Sequence, residues 1–322
     1  MKNHIQLMAV FAVFLILVPC IAFFNGGNGQ ASADTSAGGN SVKFLFTKED
    51  KVSEISMEDY MIGAVLAQMP ADFEAETLKA QAVLAHTYAV RRSLNEKETP
   101  TKELKGAVMS DDTSLYQSYF TEEQAKELYG DDYKAAYEKV SEAVKAVEKE
   151  ILEYKGEPVI VAFHAISGGK TESALNAWGE DIPYLTVCDS SWDTEISGFE
   201  KQTEFTPEEL SARLSAQFPD ADFKGLDEEK WITPDEKTPS GTVLSVGIGE
   251  SFFITGQQFA NALSLPSPCF EAEYSGGKFT ITTKGYGHLV GMSQYGANYL
   301  AKEGKTYKEI LEHYFPGTKL SG

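Results

Sequence analysis

The pattern of apolar and polar positions divides the chain into three stretches. Residues 7–24 form an almost unbroken apolar run, close to the roughly 20 helical residues that a bilayer core requires. Lys2 precedes the run and no Lys or Arg comes after it until Lys43, so the positive-inside bias keeps the N-terminus cytoplasmic and exports the rest of the chain. This predicts a single-pass membrane anchor over residues 1–24, with the main domain extracytoplasmic. The rival reading is a cleaved secretory signal, for which Ala31-Ser32-Ala33 supplies a small-residue cleavage site. Cys20 sits beside Pro19, where a lipoprotein would carry a small residue, and is read as part of the apolar helix. Residues 25–40 are mostly Gly, Ser, Asn and Ala, a composition that cannot bury a core and that predicts a flexible linker. Residues 41–322 form the folded part.

Within the folded part the periods alternate between strand-like and helix-like. The short apolar run 42–47 predicts a first strand. Ser56 followed by Asp59, with Met61, Ala64, Val65 and Gln68 at helical spacing, predicts a capped helix that Pro70 ends. A second helix is predicted over 74–92, with Leu78, Ala82, Ala85 and Ala89 on one face. Residues 132–150 repeat apolar positions every three or four residues and predict another amphipathic helix. Runs 151–154 and 158–163 read as two strands joined around Lys155-Gly156. Thr206, Pro207 and Glu209 mark a helix start, and 242–248, 252–255 and 278–283 read as strands. No regular βαβ alternation or internal repeat emerges, so the fold class is α+β, with room for one large domain or two small ones.

The formal net charge of −20 belongs to the folded part, because Lys2 and Asp34 cancel. Such a surface repels nucleic acid and anionic headgroups, which excludes a nucleic-acid partner and leaves solubility as the plain purpose of the charge. Cys188 and Cys269 are the only cysteines beyond the anchor, so at most one disulfide is available, and whether the two meet is left open. His86, His164, His288 and His313 are too scattered for a zinc signature, and no cofactor is indicated.

Three segments carry candidate chemistry. Residues 285–296 interleave glycines with Tyr286, His288, Ser293, Gln294 and Tyr295. Backbone freedom, polar groups and aromatic faces suit such a loop to a polar polymer such as a glycan, or simply to a tight turn with a packed histidine. Residues 163–169 end a strand in Gly168-Gly169 and set His164 near Ser167. Without a G-x-S-x-G elbow, serine hydrolysis is disfavoured against a core histidine. The turn 68–76 holds Asp72, Glu74 and Glu76, which are either proton donors or the ordinary acids of a helix N-terminus.

Three stretches together resemble the stage II sporulation protein D family, which includes amidase enhancers: AQMPADFEAETLKAQAVLAHTYAVR at 67–91, FHAISGGKTESALNAWGEDIPYL at 163–185, and GYGHLVGMSQYGANYLAKEGKTYKEILEHYFPG at 285–317. The resemblance spans nearly the whole exported part. It implies peptidoglycan remodelling during forespore engulfment by a membrane-anchored lytic transglycosylase, with peptidoglycan glycan strands as substrate and other engulfment hydrolases or membrane proteins as partners. One carboxyl group suffices for that chemistry: it protonates the glycosidic oxygen and then takes a proton from the 6-hydroxyl, closing a 1,6-anhydro ring. No second carboxylate has to activate a water.

The family's E-M-P motif supplies the acid, and the position that matches it here is Gln68, which has no proton to give. Relatives carry arginine where this chain has His86, Ser-Thr where it has Ala165-Ile166, and glycine where it has Leu289. The resemblance implies two alternative functions. In one, Glu76 or Glu74 takes over as acid; in the other, a silent glycan-binding protein recruits or stimulates a partner hydrolase. Both use His86, His164, Ser167, Tyr286, His288, Ser293, Gln294 and Tyr295 as substrate-binding residues. Residues 106–117, near where some relatives have Cys and His, contain neither, so zinc is not implied.

Overall fold

The first N–H groups of a helix have no partner within it, and a Ser or Thr just ahead of the helix supplies one. The computed structural model, which describes residues 40–322, obeys this rule from its first elements. β1 (Ser41–Phe46) and β2 (Lys51–Ser56) form an antiparallel hairpin. Ser56 then caps α1 (Met57–Gln68), its hydroxyl accepting the Asp59 N–H at 3.0 Å and donating to the Asp59 carboxylate at 2.6 Å. Ahead of Pro70 the helix ends with Met69 in extended conformation. α2 (Ala75–Glu98) runs past its predicted end at 92, up to the Thr99-Pro100 stop. β3 (Met109–Ser110) adds in parallel to β1. α3 (Glu122–Tyr129) starts at a capping box on Thr121 and leads into α4 (Tyr133–Val147). β4 (Ile151–Tyr154) and β5 (Glu157–Pro158) turn through Lys155 and Gly156, both at positive φ.

Contacts divide the chain into two compact units. The first comprises the described residues up to Val161 together with Ala297–Gly322. In it α2 packs against α1 and α4, burying Tyr60, Met61, Leu66, Leu84, Val140 and Val144.

The second unit is Ala162–Gly296. It begins with β6 (Phe163–His164) and the short α5 (Ala174–Trp178). β7 (Glu200–Phe205) comes next, then α6 (Pro207–Gln217), opened by the Thr206 and Glu209 capping box with Pro207 at its first position. β8 (Ile232–Lys237), β9 (Val243–Ile248) and β10 (Phe252–Thr255) make one antiparallel sheet and lead into α7 (Gly256–Leu263). β11 (Phe270–Ser275) and β12 (Lys278–Lys284) form another sheet with β7. Leu210, Leu214, Phe259, Phe270, Phe279 and Ile281 form the core these elements share, each contributing about 1.5–3 kcal/mol of burial. β13 (Met292–Ser293) pairs in parallel with β6. α8 (Gln294–Lys302) carries the chain back into the first unit, which α9 (Tyr307–Tyr314) and β14 (Lys319–Ser321), paired to β4, complete.

Mixed helices and short strands agree with the α+β expectation. The strand expected over 158–163 is different: only Glu157–Pro158 pairs with β4, and Phe163–His164 belongs to another sheet. Val159 and Val161 are buried, and an apolar run reports burial without reporting which strand it pairs with; Pro158 also has no N–H to extend the ladder. The expected anchor, and the expected linker apart from Asn40, lie outside the described residues. Among the described residues no helix is long and apolar enough to cross a membrane.

Gly63, inside α1, gives a test of this packing. A Cβ there would lie 2.5 Å from the Phe120 carbonyl oxygen and 2.7 Å from Tyr119 Cδ2. Glycine to alanine inside a helix ordinarily gains up to about 1 kcal/mol; Gly63→Ala is expected to lose about 1–3 kcal/mol through overpacking instead. The midpoint of urea unfolding measures the sign.

Candidate functional site

In the first unit, Gln68 is the last residue of α1 and 3% exposed. Its amide is used at both ends: Oε1 accepts from Gln81 Nε2 at 2.7 Å, and Nε2 donates to the Ser118 carbonyl at 2.8 Å. The slot thus asks its occupant for one acceptor and one donor. A neutral amide meets that demand, and so would a protonated carboxylic acid; a carboxylate would set a charged oxygen against the Ser118 carbonyl.

The nearby acids sit differently. Glu74 is exposed and its backbone N–H is held by Asn298 Oδ1 at 2.8 Å. Glu76 bonds Lys79 Nζ at 2.6 Å and accepts the Tyr307 N–H at 2.9 Å, so its carboxylate sits on the N-terminus of α9. Partial burial would raise its pKa, but the Lys79 and Tyr307 hydrogen bonds outweigh that and hold it below the usual glutamate value. A group kept ionised in this way is a poor proton donor. His86, buried in α2, faces the Glu150 carbonyl through Nδ1 at 3.0 Å, and burial lowers its pKa against the pull of that bond.

In the second unit the loop after β12 brings together residues that lie far apart in sequence. His164 and His288 stand edge to face at 5.9 Å, and the Trp178 ring is 5.6 Å from His288. Both histidines bind the backbone of Val290. Its N–H donates to His288 Nδ1 at 3.1 Å, and its carbonyl faces His164 Nδ1 at 3.1 Å. A carbonyl only accepts, so His164 carries its proton on Nδ1, while His288, accepting at Nδ1, carries its own on Nε2. Opposite tautomers clamp one residue. The bond from the Val290 N–H requires a neutral His288, and burial lowers both rings, His288 to about 4 and His164, with His288 beside it, to about 3 against the pull of its own bond to the Val290 carbonyl. His164 Nε2 is buried and makes no hydrogen bond among the described residues.

The rest of the loop is fixed just as firmly. Tyr286 and Ile166 exchange backbone bonds at 2.7 and 3.3 Å, and Gly287, at φ +108, lies where a Cβ would come within 2.8 Å of His164 Cβ. Tyr286 is half-buried, with its phenol pushed up to about 12 by burial. Gln294 is buried and Tyr295 half-buried, the latter's N–H on the Ala165 carbonyl at 3.0 Å. Ser167 and Ser293 are fully buried and engaged with Asp193. They support the loop from behind.

Sequence reasoning names the two histidines but misses Trp178, Glu172 and Asp193. Glu172 is fully buried, its carboxylate taking the Ser173 N–H at 2.8 Å, Asn176 Nδ2 at 2.9 Å and the Thr238 hydroxyl at 2.7 Å, while its N–H binds the Leu289 carbonyl at 2.7 Å. Thr238 lies 66 residues away, and no local pattern announces such a pair. Cys188 and Cys269 are both free buried thiols, raised by burial first of all. Among the described residues no group of three or more His, Cys, Asp or Glu is placed to hold a metal ion.

The clamp makes the second unit sensitive to acid. The folded values of His164 and His288 lie below the roughly 6.5 of an exposed imidazole, so as pH falls the unfolded chain takes up protons first. Their contribution is complete above about pH 6.5 and is lost as pH falls toward 4. His86 acts in the same direction. Glu76 does so only below the ordinary glutamate range, and Asp193, raised by burial, acts in the opposite sense. The urea midpoint is expected to drop from pH 7 to pH 5, and less so in His288→Asn, whose amide oxygen accepts without titrating; an unchanged midpoint would contradict two desolvated, neutral imidazoles.

Residues 46–154 match the family model described as Stage II sporulation protein. The whole chain is 34% identical to Stage II sporulation protein D of Bacillus amyloliquefaciens and 33% identical to that of Bacillus subtilis (strain 168), covering 96% of each. It is also 26% identical to a Bacillus subtilis protein named Amidase enhancer, over 80% of this chain and 40% of that one. At this identity over its full length, the chain belongs to the stage II sporulation protein D family.

Proposed function

We propose that this is a sporulation cell-wall protein, tethered outside the cytoplasmic membrane by its N-terminal apolar run, that binds peptidoglycan glycan strands and recruits or stimulates a partner hydrolase without cutting them itself. The observation that carries the silent reading is the Gln68 slot, in which an amide stands where single-carboxyl lytic chemistry needs a group that gives and retakes a proton. Glu76, kept ionised by Lys79 and the Tyr307 N–H, is badly placed to substitute for it. The Amidase enhancer among its relatives supports a partnership with a hydrolase. The preformed loop carrying His288, with Trp178 against its ring, offers an apolar face and polar groups of the kind a sugar chain uses.

The second reading is lytic transglycosylase activity, with the exposed Glu74 as acid. The same slot lends it a specific test. A glutamate at 68 could accept from Gln81 and donate to the Ser118 carbonyl only in its protonated form, which is the form a general acid needs.

The measurement uses glycan strands stripped of stem peptides, incubated with the full-length chain or with Gln68→Glu. Mass spectrometry then detects 1,6-anhydro ends and co-sedimentation detects binding. The unaltered chain is expected to sediment with the strands and leave them intact. Gln68→Glu is expected to release anhydro products at least about a hundredfold faster, the lower end of what one positioned acid contributes. Anhydro products from the unaltered chain would overturn the silent reading and direct attention to Glu74→Gln.

A further inference from the structure

The loop that carries His288 is joined to the strand that carries His164 by very little regular structure. β6 and β13 are two residues each, paired in parallel with Met292 against Phe163 and Ser293 against His164. So short a parallel ladder is weak, and a slip of one residue would turn each side chain to the opposite face. Such a slip would take His164 off the Val290 carbonyl and undo the clamp.

Asp193 lies in the turn Ser191–Glu195 and is fully buried. Its Oδ2 accepts the Ser167 N–H at 2.8 Å, the Ser293 hydroxyl at 2.7 Å and the Ser190 hydroxyl at 3.1 Å. Ser167 lies just beyond β6, and Ser293 is the last residue of β13. One carboxylate oxygen therefore ties the end of β13 to the segment three residues beyond β6. The other, Oδ1, is buried and makes no hydrogen bond among the described residues. For stability alone an apolar side chain of similar volume would often serve as well as a buried charge. What the carboxylate adds is register, through charge-assisted bonds that only one alignment of the strands satisfies.

We propose that Asp193 is the positioning residue of the glycan-binding loop: it locks β6 against β13 in the one register that lets His164 and His288 clamp Val290, and so sets where the His288 ring meets a sugar. This rests on the glycan-binding reading for its ligand but not for its geometry. Burial raises the Asp193 carboxyl above the usual aspartate range, while its serine donors pull it back toward the charged form.

The test compares the full-length chain with Asp193→Asn, Ser293→Ala and Leu210→Ala. Leu210 is a fully buried residue of the sheet and helix core, and its truncation destabilises the unit without touching either short strand. Three quantities are read: the thermal midpoint, the affinity for stem-peptide-free glycan strands, and the nitrogen resonances of the His288 ring. Asp193→Asn is expected to weaken binding about tenfold, in line with the loss of one charge-assisted hydrogen bond. It is also expected to move His288 Nδ1 from the position of an accepting nitrogen toward that of a ring exchanging between tautomers. Ser293→Ala shifts both readouts in the same direction and decides the matter if Asp193→Asn does not fold. Leu210→Ala lowers the midpoint and leaves both readouts unchanged.

Unaltered affinity and an unaltered His288 signal in Asp193→Asn and Ser293→Ala would overturn the proposal and reduce Asp193 to a structural role. If the unaltered chain fails to bind strands, the glycan reading falls, and the His288 signal still decides whether Asp193 positions the ring.

Discussion

A single residue, Val290, carries the geometry of the candidate site, because both its backbone N–H and its carbonyl are bound by imidazole rings. Each bond constrains a proton. His288 must leave Nδ1 bare and His164 must protonate it, so a second proton on His288 would break its bond to the Val290 N–H, while one on His164 would go to the buried, unpartnered Nε2. Burial keeps the rings neutral by making charge costly. The bulky side chain beside them offsets the strain of the loop's shape: Leu289 is a non-glycine residue at φ +67, fully buried, with its carbonyl taken by the Glu172 N–H. A left-handed leucine costs about 1–2 kcal/mol, and burying that side chain recovers about as much or more.

Environment assigns the carboxyl groups separate tasks. Asp193 and Glu172 are sealed in the second unit and use their oxygens to order loops, Asp193 through serines and Glu172 through Thr238, Asn176 and the Ser173 N–H. Glu76, in the first unit, is half-exposed and complements both a lysine and a helix N-terminus. Of these, Glu76 is held in its charged form by its lysine and the Tyr307 N–H, whereas burial works against the charge on Asp193. The slot at the end of α1, whose partners suit a neutral group, holds glutamine.

Legibility in the sequence tracks the range of the interactions involved. The caps at Ser56 and Thr206, the stop at Pro70 and the turn at Lys155-Gly156 are all readable, since each depends on residues close together along the chain. The apolar run 158–163 misleads because burial and pairing look alike in one dimension. His164 and His288 stand out by residue type among glycines, but the bond from His164 to Val290 spans 126 positions and has no local signature. Asp193 offers even less, an ordinary acid between Trp192 and Thr194 whose partners come from three separate segments. Ser167 and Ser293 read by residue type as groups facing a ligand, whereas burial turns their hydrogen bonds inward, onto that aspartate and its surrounding loops.

Glutamine at position 68 is a substitution the fold can absorb with little structural penalty. Amide and protonated acid have nearly the same shape, and both can accept from Gln81 while donating to the Ser118 carbonyl. A change to alanine would remove both of these buried hydrogen bonds, and a permanently charged group would face a carbonyl oxygen. Glutamine avoids both penalties and removes only the exchangeable proton. The helix end, its hydrogen bonds and the turn into α2 therefore need no acid to keep their form. In this fold the presence or absence of an acid at position 68 can vary without any change in the surrounding architecture.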